Sequence, residues 1–312
     1  SFTLSLVLAA TCSAFAQSSI PEAITPYLNG NYRLASKQLL KAIPEGSNKN
    51  QPMGYYYLGM SYYRLATDAE QGAAAGYDED KMLEKARKAF EQGIDENKRY
   101  GYNYAGRGLI QVQKGNVDEA KQNFQLAIEQ APEDIDLLIV LAEAYVDLYE
   151  NKDIAKSKRD DAISEATTLL TRADALQPNS ANIAIALGKV WEAQAILESA
   201  RSNYKNAVEL QPTNPRAVYN LGRLQIEMQA YQAGQDNLIK AKELDPDYAP
   251  VYKELADLYF KAQEFGAAKK ELEAYRDKIV EQGGDATYAN VRYATALYLI
   301  KKYDEIGRAS CR

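Results

Sequence analysis

Small and bulky apolar residues return in a fixed order every 34 positions. Leu187, Gly188, Ala200, Tyr204, Ala207 and Pro212 are followed by Leu221, Gly222, Gly234, Leu238, Ala241 and Pro246. Ala256 and Ala268 carry the order onward, and Gly108, Ala120, Ala127 and Pro132 show it earlier. A period of this length predicts helical hairpins stacked side by side. Two antiparallel helices approach closely only where a side chain is nearly absent, which suits Gly188 opposite Ala200 and Gly222 opposite Gly234. Leu187, Trp191 and Tyr204 are expected to fill the space around the first crossing, and Leu221, Tyr231 and Leu238 around the second. Pro212 and Pro246 end the second helix, because proline lacks an amide hydrogen and clashes with the preceding turn. The predicted class is all-α, with no β-strand.

These residues and their spacing resemble the tetratricopeptide repeat. Units at 101–134, 181–214, 215–248 and 249–282 match best, the last without its terminal proline. The unit with Tyr55, Leu58, Gly59 and Tyr62 carries an insert around Thr67–Asp80, read as a mobile loop. The unit with Leu138, Leu141, Ala142 and Tyr145 carries a second, Asp147–Asp161, which has no Gly or Pro and is expected to lengthen its helices. Tyr32, Ala35, Leu39 and Ala42 mark a degenerate first unit, and Tyr293, Ala294, Leu297 and Tyr303 a final one. The resemblance implies a right-handed superhelical solenoid of antiparallel hairpins over 17–304, with about seven to eight units and the last truncated. Gly283-Gly284 replaces a proline and is read as a helix C-cap or a bend.

Both ends depart from the pattern. Ser1–Ala16 is apolar or small, uncharged, and closes on Ala14-Phe15-Ala16, the marks of a partial secretory signal peptide cleaved after Ala16. At the other end, Glu305–Arg312 breaks the register and is expected to be a non-native tail.

Composition narrows the chemistry. The chain has no histidine, and its two cysteines, Cys12 and Cys311, fall in the leader and the tail. Residues 17–304 therefore lack the groups for disulfides, thiolate metal sites, Cys–His nucleophiles and histidine acid–base catalysis. Absence of stray thiols suits an oxidising compartment. A net charge of −6 argues against nucleic acid as a partner. The carboxylate pairs Glu133-Asp134, Asp160-Asp161 and Asp245/Asp247 lie at expected helix starts or turns, where they read as caps rather than as an acid and base. Gly72–Gly76 lacks the Lys and Ser/Thr of a phosphate loop. No cofactor, metal or enzyme activity is expected.

The resemblance places a binding groove on the concave face, built by the first helix of each unit. Its family positions fall on Met53, Tyr56, Tyr57, Met60, Tyr63 and Arg64, then Tyr102 and Leu109, then Asp136, Ile139, Glu143 and Asp147. Further on they fall on Lys189, Glu192, Arg216, Tyr219, Asn220, Arg223, Glu254 and Asp257. Tyrosine offers large contact area at low rotamer cost, so Tyr56, Tyr57 and Tyr63, with Met60 and Tyr102, are candidate partner contacts. Packing against the degenerate first unit is the alternative for the same rings. Lys189, Asn220 and Arg223 resemble a carboxylate clamp used by some family members, although Glu254 and Asp257 stand where that clamp wants positive charge. The implied function is an exported, non-enzymatic scaffold binding protein segments, in the periplasm or at the outer membrane. A glycan-uptake accessory and an adaptor for a larger sensor or enzyme are the alternatives.

Overall fold

The computed structural model describes residues 20–28, 30–43, 51–68, 72, 76–281 and 286–310. Among these are fifteen α-helices and no strand. Seven hairpins follow one another: α1 (Ile20–Leu28) with α2 (Tyr32–Ala42), α3 (Pro52–Thr67) with α4 (Glu79–Glu96), and α5 (Gly101–Gln113) with α6 (Val117–Gln130). Next come α7 (Ile135–Glu150) with α8 (Lys156–Leu176), α9 (Ala181–Ala193) with α10 (Leu197–Leu210), α11 (Pro215–Glu227) with α12 (Tyr231–Leu244), and α13 (Ala249–Lys261) with α14 (Phe265–Glu281). Helix α15 (Thr287–Ser310) packs on α14.

The small residues make room for aromatic rings as well as for backbone. A Cβ at Gly188 would stand 2.3 Å from the Tyr204 ring, and one at Gly108 would stand 2.3 Å from Phe124. Gly188 thus faces the Tyr204 ring, with Ala200 buried in the same cluster. At Gly222 backbones meet as expected, its Cβ position lying 3.0 Å from the Gly234 carbonyl oxygen. Tyr204 beneath Gly188, Phe124 beneath Gly108 and Phe90 beneath Gly59 and Gly106 are fully buried, each worth about 1.5–3 kcal/mol of transfer free energy. Tyr204 keeps its hydroxyl satisfied by donating to Glu192 at 2.7 Å, which avoids the cost of a buried unpaired polar group. Tyr231, expected in the core, is 49% exposed at the start of α12.

Helix ends obey the local chemistry. Asp134 and Asp78 cap α7 and α4 by accepting from Leu137 N and Lys81 N, both at 2.9 Å. Asn214 accepts from Arg216 N and Ala217 N at the start of α11, beside Pro215 at its first position. Within six hairpins the segment joining the helices passes through a residue with positive φ: Gly30 (79°), Gly76 (81°), Gly115 (72°), Ala195 (58°), Gln229 (64°) and Gln263 (61°). The second insert is absorbed as expected, with α7 running to Glu150 and α8 lengthened to 21 residues around a short turn. Residues 69–71 and 73–75 of the first insert, all of Ser1–Ala16 and Gly283-Gly284 lie outside the described residues. In α15 Ala289 and Ala296 are buried, while Ala294 and Leu297 are exposed. The latter two hold register positions that face a hairpin's own second helix, and none follows α15 among the described residues.

First helices α3, α5, α7, α9, α11 and α13 pack on one another in sequence. Each second helix reaches mainly its own partner and the first helix that follows. Closer packing on one side bends the stack toward it, so the first helices form the inner wall. The bend carries the first hairpin round to the far end. Pro26 and Leu34 share with Asp247, Lys278 and Glu281 a crevice of about 320 Å³.

Candidate interaction groove

The inner wall begins with a chain of tyrosine rings. Tyr32 meets Tyr27 at 5.5 Å between centroids, Tyr27 meets Tyr57 at 5.2 Å, and Tyr57 meets Tyr56 at 5.2 Å. Tyr56 meets Tyr102 at 5.3 Å, and Tyr102 meets Tyr100 at 5.2 Å. Tilted and edge-on contacts of this kind suit the ring quadrupoles.

Among the predicted contacts, Tyr56, Met60 and Tyr63 are buried, at 7%, 4% and 6% exposure. They form the floor of the wall rather than its surface. Tyr57 and Tyr102 are half-buried and keep an accessible edge. Tyr56 and Tyr63 are thus taken up by packing, while Tyr57 on α3 and Tyr102 on α5 stay partly accessible. Burial pushes the Tyr56 phenol well above its ordinary value and Tyr63 up to about 12, the latter helped by Asp147. Tyr102 is raised by burial, by its hydrogen bond to Asp134 Oδ1 at 2.8 Å, and by the charge of Asp136. All of these rings are neutral hydrogen-bonding surfaces at physiological pH.

Above that floor lie Met53, 38% exposed, and the exposed side chains of Arg64, Asp136 and Asp147. Arg64 sits among the Tyr27, Tyr32 and Tyr63 phenols. Asp147 is open to solvent yet walled by protein on the inside of the curve. The low-polarity mass around it pushes its carboxyl up to about 6, Arg64 and Lys189 opposing and Glu143 and Glu150 adding to the rise.

The second half of the wall is internally neutralised. Lys189 donates to Glu143 Oε1 at 2.6 Å, pairing α9 with α7. Arg223 pairs with Glu192, tying α11 to α9. Asn220 is buried at 9% exposure. The cations of the expected clamp thus already hold carboxylates of the preceding unit, and its Asn points into packing. Further along, Asp257 accepts from Tyr288 at 2.9 Å and from Arg292 at 2.5 Å.

Tyr27, Tyr100 and Tyr248 were not singled out by the repeat register. Tyr100 and Tyr248 stand immediately before α5 and α13, at N-cap positions beside the wall. Tyr248 meets Tyr219 at 5.2 Å, and its hydroxyl adds to the field on Tyr32 across the curve. The signal that finds Tyr100 and Tyr248 is an aromatic residue in the slot preceding a first helix.

The tetratricopeptide repeat family model matches residues 102–134 and 215–248. Two of the best-matched units, 101–134 and 215–248, coincide with these segments. No curated protein matches the chain. Among solved structures, a tetratricopeptide repeat protein from Parabacteroides merdae is 12% identical. It covers 89% of this chain and 98% of its own, with a TM-score of 0.55. The TPR protein TTC0263 from Thermus thermophilus is 21% identical and covers 65% of this chain and 99% of its own, with a TM-score of 0.50. At these identities the likeness speaks to fold. With the 34-residue hairpins and the glycine-to-aromatic packing, the chain folds as a solenoid of stacked helix pairs that carries tetratricopeptide repeats at 102–134 and 215–248.

Proposed function

We propose that this protein is a non-enzymatic scaffold that holds a segment of a partner protein along its concave wall. The observation that carries this reading is the two-layered first half of the wall. Buried Tyr56, Met60 and Tyr63 fix a rigid floor, and half-buried Tyr57 and Tyr102 present accessible edges above it. Rigid aromatics cost little entropy on binding and concentrate contact energy. The uncharged run of Ser1–Ala16 supports export, to the periplasm or the outer-membrane surface, with a role in assembling envelope complexes.

A photoreactive phenylalanine analogue at position 57 is expected to capture protein in intact cells, and the same group at Asp161 on α8 is expected not to. Tyr57→Ala should weaken capture of that protein by about fivefold or more with helicity unchanged. Equal capture at both positions would remove the groove from the proposal. Cell fractionation tests export, a cytoplasmic pool alone being the contrary result.

A further inference from the structure

Charge divides the inner wall into two unlike halves. In the second half Glu192 faces Arg223, Asp257 faces Arg292, and Glu254 lies among Arg223, Lys253 and Lys261. In the first half Asp136 and Asp147 are exposed and make no direct ion pair among the described residues, with Arg64 and Lys189 acting on Asp147 from a distance and Glu150 exposed beside it. Arg64 on the α3 wall lies among the Tyr27, Tyr32 and Tyr63 phenols, and Lys189 is held by Glu143.

The carboxylates flank an apolar strip. Met53 and Tyr57 on α3, Tyr102 on α5 and Ile139 on α7 are partly exposed along it. Asp136 lies close enough to Tyr57 and Tyr102 to raise both phenols. A lysine or arginine stem packs on such a strip while its head reaches a carboxylate, and ring faces attract the same cations. An acidic occupant would meet the exposed carboxylates of Asp136, Asp147 and Glu150 instead.

We propose that the strip bordered by Tyr57, Tyr102, Asp136 and Asp147 selects a protein segment bearing lysine or arginine side chains. This rests on the groove reading above and names the chemistry of its occupant. Asp136 and Asp147 are three turns apart on α7, about 16 Å along the axis. In an extended segment at about 3.3 Å per residue that distance separates two basic residues by about five positions.

The test uses a fluorescent Gly-Ser peptide with two lysines five residues apart, and versions with glutamine or glutamate in their place. The lysine peptide should bind best at low ionic strength. Asp136→Asn and Asp147→Asn should each weaken it by about two- to fivefold, the range of exposed charge pairs. Asp161→Asn, which removes the same charge from α8, should leave binding unchanged. Affinity should also fall as pH drops through about 6, where Asp147 gains a proton among Arg64, Tyr63, Glu143, Glu150 and Lys189. Asp147→Asn should remove that dependence.

Equal binding of the lysine and glutamine peptides, or equal weakening by Asp161→Asn, would overturn the selection. If Tyr57→Ala then still abolished binding, the groove would stand without its preference for cations. Indifference of lysine-peptide binding to Tyr57→Ala would overturn both.

Discussion

At the residue scale, the repeat works because absent side chains are matched to large ones. Gly188→Ala drives a methyl group toward Tyr204, a ring fully buried and tied through its hydroxyl to Glu192. We expect it to destabilise the chain by about 1–3 kcal/mol, the usual cost of overpacking. Denaturant titration reads the cost, and adding Tyr204→Leu should recover part of it by making room. Asp147 makes a second prediction. Its folded pKa of about 6 lies above the ordinary carboxylate value, so folding takes up a proton between those values. Its contribution therefore favours the fold at acidic pH and is lost as pH rises through about 6. Asp147→Asn should raise the thermal midpoint at pH 7.5 and leave it unchanged near pH 4.

The glycines were legible in the sequence and their partners only in part, because a 34-residue period fixes which positions face a hairpin crossing but not which side chain reaches it. Tyr56, Tyr57 and Tyr63 show the same limit. The register puts all three near the wall, yet one turn of α3 carries both floor and surface, and a shift of one residue along a helix turns a side chain by about 100°.

At the element scale, the turn inside each hairpin is more constrained than the helices it joins. Ala195, Gln229 and Gln263 take the left-handed conformation that Gly115 takes at the corresponding point. For a residue with a Cβ that conformation costs about 1–2 kcal/mol, whereas glycine gives up roughly 0.5–1 kcal/mol of chain entropy. Gln229→Gly and Gln263→Gly should therefore each stabilise slightly, by up to about 1 kcal/mol, as read from the denaturation midpoint. The inserts show how much an element boundary leaves to sequence. Residues 147–161 lacked Gly and Pro, and both flanking helices lengthened accordingly. Tyr231 went the other way and stands 49% exposed at the start of α12, although Val117 at the same point of α6 is buried.

At the scale of the molecule, buried residues are unevenly shared. One apolar cluster runs unbroken from Tyr56 in α3 to Val190 in α9, whereas the later hairpins hold smaller separate clusters. A stack stabilised by neighbour-to-neighbour interfaces unfolds in parts when those interfaces differ. Amide exchange should accordingly be slowest in α5–α8 and fastest in α13–α15, with a thermal transition broader than a single two-state step. Uniform protection would contradict this division.

The crevice shared by Leu34 with Lys278 and Glu281 is an exception to that neighbour-only order. Almost every other contact joins segments close in the chain, which cost little loop entropy to form. Bringing the first hairpin against the sixth and seventh ties together two ends of a long, already ordered arc. It comes after the intervening hairpins have stacked, so this seam is the last part to assemble and the first to give way when the spiral breathes.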